Sequence, residues 1–160
     1  QGQLIPGHLS PKGLRQARFL AKLFKNKKID YIYSSDLKRA VDTAKEIIKY
    51  HSDVPLKFTE YLREINLGKF QGKKIKKLNF KSISEAYYRN DGETPKRIYK
   101  RVKTFLGSIY KKHKNETVLL VTHATVLNIL YCIIRYRKFV ENIITRKSKK
   151  GGEFKIFIVN

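Results

Sequence analysis

"VLLVTHATVLNIL", residues 118–130, decides how the chain is read. Val118 to Val121 is apolar without alternation, the pattern of a strand buried on both faces. From Ala124 the apolar residues run on over a helical length, "ATVLNILYCIIRYR". His123 stands at the junction. A buried strand that hands a polar residue to the start of a helix belongs to a parallel α/β sheet, where ligands sit outside the carboxyl ends of the strands. At such a place a histidine is a packed structural residue, a metal ligand or a catalytic group. Its companions elsewhere in the chain have to decide between these.

Outward from that stretch, strands and helices alternate. "HLSPKGLRQARFLAKLF" (8–24) offers Ser10 as N-cap and Pro11 at the first helical position, with Leu14, Ala17, Leu20, Ala21 and Phe24 on one face. "KIDYIYSS" (28–35) reads as a short strand. "SDLKRAVDTAKEIIKY" (35–50) reads as a helix capped by Ser35 or Asp36, with Leu37, Ala40, Ala44 and Ile47 or Ile48 inward. A further short strand is expected over 54–60. "TPKRIYKRVKTFLGSIYKKH" (94–113) is a helix capped by Thr94, with Ile98, Val102, Phe105 and Ile109 as its stripe. "EFKIFIVN" (153–160) closes the chain as a strand. The Lys-rich stretch between Gly68 and Gly92, with "GKKIKKLNFK" inside it, reads as a helical insert or a flap, and "TRKSKKGG" (145–152) as a basic loop. The alternation predicts an α/β fold: a three-layer α/β/α sandwich with a mostly parallel central sheet. One domain is expected over residues 1–160.

Composition narrows the function. There are 36 Lys+Arg against 13 Asp+Glu, a formal charge of +23. Such a surface attracts phosphates, polyanions or acidic membrane faces without choosing among them. No apolar run reaches the length of a membrane span, and no leader pattern is evident. The cytoplasm is therefore the expected compartment, and no membrane partner is expected. The single cysteine, Cys132 in "NILYCII", excludes an internal disulfide and reads as a buried thiol. Nucleic-acid binding rests on charge alone, because no RRM, KH, zinc-finger or basic-zipper pattern occurs. Any such binding is expected to be non-specific.

Three residues can share one chemistry. His123 ends one strand. Arg39, in "SSDLKR", falls on the first turn of the helix after another, where free backbone N–H groups also attract anions. A guanidinium there can hold a phosphoryl group through two parallel hydrogen bonds. Glu64, in "YLREINLG", follows a third short strand and can serve as proton donor. Each has a plainer alternative: a satisfied structural histidine, a surface arginine on a basic protein, a glutamate paired with Arg63 or a lysine. His8, His51 and His113 lie in loop-like or Lys-rich surroundings and receive no role. No HxH, HExxH or CxxC spacing occurs, so no metal is expected.

In combination these segments resemble the histidine phosphatase superfamily, the phosphoglycerate mutase-like fold. "HLSPKGLRQARFLAKLF", "IDYIYSSDLKRAVDTAKEI", "LREINLGKFQG", "DGETPKRIYKRVKTFL" and "VLLVTHATVLNIL" follow one another in the family's order, the second being the most specific. The resemblance implies phosphoryl transfer through a phosphohistidine, without metal or other cofactor. It implies Arg39 and His123 in the phosphate pocket, with His123 and Glu64 catalytic and Glu64 the general acid and base. Glu93 matches a glutamate of the family with a structural or substrate-side place. Ala124 replaces the usual glycine after the histidine. The family's "RHG" motif, which supplies the nucleophilic histidine and another arginine, is absent from the 160 residues, and His8 in "PGHLS" is not a substitute. The nucleophile is expected on a segment upstream of residue 1, and the absence of any methionine accords with this. The short stretch from Gly68 to Gly92 favours a small phosphatase over a mutase. A mutase-type transfer and a non-catalytic relative that binds phosphorylated ligands are the alternatives. Lysines within 73–81 would steer a phosphorylated small-molecule substrate, or merely form a solvated face. Which substrate, and in what oligomeric state, the sequence does not indicate.

Overall fold

The computed structural model describes residues 2, 3, 7–72, 91–136 and 157–158. The Lys-rich stretch 73–81 and the basic loop 145–152 fall outside them. Helix α1 (Pro11–Phe24) leads to strand β1 (Tyr31–Ser35), helix α2 (Lys38–Ile48) and strand β2 (Leu56–Thr59). Two single-turn 3-10 segments follow, Glu60–Leu62 and Gly68–Phe70. Helix α3 (Pro95–Lys112), strand β3 (Thr117–Val121), helix α4 (Ala124–Tyr136) and strand β4 (Phe157–Ile158) complete the order.

The sheet runs β2-β1-β3-β4. β1 pairs in parallel with both β2 and β3, Ser34 lying opposite Phe58 on one side and Val121 on the other. β4 is antiparallel to β3, with Thr117 opposite Ile158. This is the mostly parallel sheet that the alternation called for.

Side-chain alternation along the central strands divides the core in two. Ile32, Leu119 and Val121 point to one face, where they pack with Ala21 and Phe24 of α1 and Ala40, Ala44 and Ile47 of α2. Tyr33, Val118 and Leu120 point to the other, where Ile98, Val102, Phe105 and Ile109 of α3 meet Val126, Ile129 and Leu130 of α4. Three layers result. Full burial of each such side chain contributes on the order of 1.5–3 kcal/mol. Cys132 lies within the second cluster, as expected of an apolar thiol.

Local signals place the helix ends. Ser10 Oγ accepts from the Gly13 N–H at 3.1 Å and Pro11 opens α1, while Thr94 Oγ1 accepts from the Arg97 N–H at 3.2 Å before Pro95. At the far end of α1, His51 Nε2 donates to the Phe24 carbonyl at 3.1 Å. Helix α2 departs from the expected cap. Leu37 holds the N-cap position, with no side chain capping it. Ser35 Oγ accepts the Leu37 N–H at 3.3 Å, short of the helix proper, and Asp36 is held elsewhere by Arg63. Thr43 joins the buried face instead of Leu37, its hydroxyl donating to the Arg39 carbonyl at 3.0 Å.

Between α3 and β3 the chain turns through Asn115, whose φ of 64° is one that asparagine tolerates. His113 is buried there. Its Nε2 shares a hydrogen bond with the Tyr33 hydroxyl at 2.9 Å and its Nδ1 meets the Glu116 carboxylate. It is a satisfied core histidine.

Candidate active site

Helices α2 and α4 leave neighbouring strands, β1 and β3, and pack on opposite faces of the sheet. Between them the carboxyl ends of β1 and β3 open into the crevice characteristic of ligand sites in open α/β sheets. Both helices point their N-termini toward it, so free N–H groups and two helix dipoles favour an anion there.

The side chains at this crevice come from distant parts of the chain. Ser35, the last residue of β1, shares a hydrogen bond with His123 Nε2 at 2.9 Å. Arg39 stands on the first turn of α2, and its Nη2 donates to the Gly2 carbonyl at 3.0 Å. Glu64 follows the first 3-10 turn. Its Oε1 accepts from the Ile65 N–H at 2.9 Å and its Oε2 from the Thr125 N–H, on the first turn of α4, at 3.4 Å. The Glu64 carbonyl accepts from Gln3 Nε2 at 2.7 Å. Thr122 Oγ1 donates to the Leu62 carbonyl at 2.8 Å and ties the end of β3 to the segment that carries Glu64.

The electrostatics link the same residues. Burial first, then the guanidinium charges of Arg39 and Arg101, push the His123 imidazolium down to about 3, while Asp36 opposes them. His123 is thus neutral at pH 7 and retains one ring N–H. Burial lowers the Arg39 value, and the Glu64 charge opposes that. Arg39 is therefore within electrostatic reach of both His123 and Glu64, and Glu64 reaches the Thr125 N–H two residues beyond His123. A half-buried guanidinium, a neutral imidazole, two helix N-termini and a carboxylate can hold a phosphoryl group and exchange a proton beside it.

Two ion pairs went unrecognised in the sequence. Arg63 grips Asp36 with two parallel hydrogen bonds, from Nε to Oδ1 at 2.7 Å and from Nη2 to Oδ2. These bonds are the first cause of the lowered Asp36 value. Arg101, two turns into α3, grips Glu93 the same way, with both distances 2.7 Å. Arg101 Nη1 also donates to the Tyr61 and Arg63 carbonyls, at 2.6 and 3.0 Å. Arg101 therefore fastens the Glu64-bearing segment to α3. Asp36 and Arg63 sit 27 positions apart, and no helical or strand period joins them. Glu93 and Arg101 carried a local signal, a glutamate just before a helix and an arginine two turns inside it. Ser35 was read as a cap and is a histidine partner instead.

The same segment is closed at its base. The Glu93 N–H donates to the Asn66 carbonyl at 2.7 Å, and Asn66 Oδ1 accepts from Gly68 N–H at 2.8 Å. Gly68, at φ +53°, lies directly against the Asp91 carbonyl, where any side chain would collide.

The remaining histidines lie elsewhere. His8 Nδ1 pairs with Asp42 at 3.0 Å on an exposed surface, His51 caps α1, and His113 is in the core. Among the described residues, no three His, Cys, Asp or Glu side chains gather as a metal-holding group. Nor, among them, is any helix long and apolar enough to cross a membrane.

Known proteins resemble the chain in sequence and in fold. The family model described as "Histidine phosphatase superfamily (branch 1)" matches residues 2–146. The chain is 33% identical over 143 residues to phosphoserine phosphatase 1 of Hydrogenobacter thermophilus, covering 84% of this chain and 67% of that protein. It is 37% identical over 142 residues to phosphoglycerate mutase-like protein 4 of Arabidopsis thaliana, covering 79% and 62%. It thus spans about two thirds of the length of these relatives. The solved structure of a mycobacterial glucosyl-3-phosphoglycerate phosphatase superposes with a TM-score of 0.75 at 24% identity, over 91% of this chain and 76% of the other, which shows a shared fold. With the family's segments in order, its sheet and helices in place and its model matched along most of the sequence, the chain belongs to the histidine phosphatase superfamily.

Proposed function

We propose that the chain forms the phosphate pocket and proton-transfer group of a metal-independent phosphatase acting on a small phosphorylated molecule. The observation that carries this reading is the meeting of Arg39, Glu64 and His123 at one crevice flanked by two helix N-termini. Arg39, the His123 ring N–H and the N–H groups of α4 hold the phosphoryl oxygens. An imidazole attacks phosphorus, and the bond from phosphorus to the ester oxygen breaks as Glu64 gives that oxygen a proton. Water then attacks the phosphohistidine, returns a proton to Glu64 and releases phosphate and the free imidazole.

This reading assigns the attacking role to none of the chain's own histidines. The four histidines of the chain are otherwise engaged: His123 with Ser35, His8 with Asp42, His51 with a helix end, His113 in the core. The same observation favours one second reading, a phosphate-binding relative without turnover. The phosphoserine phosphatase and glucosyl-3-phosphoglycerate phosphatase among its relatives support a phosphorylated metabolite as substrate.

The test is hydrolysis of p-nitrophenyl phosphate by the protein with whatever residues its gene encodes before Gln1. Arg39→Ala and Glu64→Gln should each lower kcat/KM by roughly 10²–10³-fold. Undiminished activity in Arg39→Ala removes the proposed pocket. Vanadate binding with zero turnover selects the second reading.

A further inference from the structure

The outer face of α1 takes no part in the phosphate hollow. The first acidic residue of the chain is Asp30, and seven Lys and Arg precede it. The inward face of α1 buries Ala17, Ala21 and Phe24. On the opposite face Phe19 is 63% exposed and Leu23 54%, one helical turn apart. Exposed Lys12, Arg15 and Lys22 surround this pair. Arg18, at the edge toward α2, is paired with Glu46 at 3.6 Å. Among the described residues no carboxylate pairs with Lys12, Arg15 or Lys22. A phenylalanine and a leucine held side by side in water, ringed by uncompensated positive charge, mark a contact surface.

We propose that the outer face of α1 docks on an anionic lipid bilayer, with Phe19 and Leu23 entering the headgroup layer and Lys12, Arg15 and Lys22 engaging acidic headgroups. Charge and shape both favour this occupant. A single helix face is convex and offers no groove to a nucleic-acid strand, and Leu23 has no ring for a base to stack on. Lysine and arginine stems can lie beside the apolar pair while their charged heads stay at headgroup depth. The expectation of no membrane partner came from the lack of a spanning segment, and a helix lying on the surface needs none.

Sedimentation of the full chain with phosphatidylcholine vesicles carrying about one quarter phosphatidylserine tests the proposal. The protein should pellet with these vesicles, stay free with pure phosphatidylcholine, and be released by salt. Phe19→Ser with Leu23→Ser should weaken binding about tenfold or more, and Lys12→Gln or Arg15→Gln roughly fivefold for each charge removed. All four positions are exposed, and an unchanged melting temperature in each variant shows that the fold is retained. Vesicle binding that persists undiminished in Phe19→Ser/Leu23→Ser overturns the proposal. So does retention on an RNA oligonucleotide or an acidic peptide while the phosphatidylserine vesicles stay bare.

Discussion

Acidification provides a direct measure of how His123 is held. In the native chain its imidazolium is pushed down to about 3, while an unfolded histidine titrates near 6.5. A depressed histidine value means that the folded state refuses a proton that the unfolded chain accepts. Stability is therefore complete above about pH 6.5 and falls as the pH drops toward 3. At pH 5 the unfolded chain is favoured roughly 30-fold by protonation at this one position, about 2 kcal/mol. At pH 7 the same effect is only about 0.2 kcal/mol. The window lies above any native value up to about 4, so the size of the loss is set by the ordinary imidazole of the unfolded chain.

The perturbation is His123→Asn, which keeps a polar side chain beside Ser35 and cannot titrate. Urea unfolding of wild type and variant at pH 7 and pH 5 gives four free energies, and every other titrating group common to both proteins cancels in the double difference. Wild type should lose about 1.8 kcal/mol more than the variant between the two pH values. Equal losses would mean that His123 titrates normally and is not enclosed with Arg39 and Arg101. If the hollow binds phosphate, saturating phosphate should shrink the wild-type loss, because an anion there favours the imidazolium.

Other perturbations follow from the same structure. Arg101→Met strands the Glu93 carboxylate and two carbonyls in a pair whose side chains are only 17% and 13% exposed, so thermal or urea unfolding should show a loss of roughly 3–5 kcal/mol. Arg101→Lys should recover only part of it, since an ammonium cannot form the bidentate fork. Leu119→Ala, at a fully buried site on β3, should cost about 2–5 kcal/mol through lost burial and a cavity. Thr94→Ala removes the cap of α3 and should cost about 1 kcal/mol by the same assay.

The sheet and its helices were legible because their signals are local and periodic. The unbroken apolar run 118–121 marked a strand buried on both faces, and the stripe Ile98, Val102, Phe105 and Ile109 appears intact against the sheet. Ser10–Pro11 and Thr94–Pro95 opened their helices as caps do. Helix α2 was misjudged at its start because Ser35 and Asp36 are both good caps in isolation. Tertiary partners, His123 and Arg63, claim them instead. That Arg39, Glu64 and His123 come to one crevice was legible, since each follows a strand. Their mutual arrangement was not, because Ser35 with His123 and Asp36 with Arg63 are joined only by folding.

Segment 68–92 has a consequence of another kind. Gly68 against Asp91, and Asn66 with Glu93, close the chain on itself at the point where it departs and returns. An excursion that leaves and re-enters at one closed neck can lengthen, shorten or change composition while the sheet keeps its register, because loop closure becomes only slowly more costly with length. Arg101, fixed to Glu93 beside that neck, ties it to the segment that carries Glu64. The sheet and the residues at its carboxyl ends are thereby insulated from whatever the chain carries between Gly68 and Asp91.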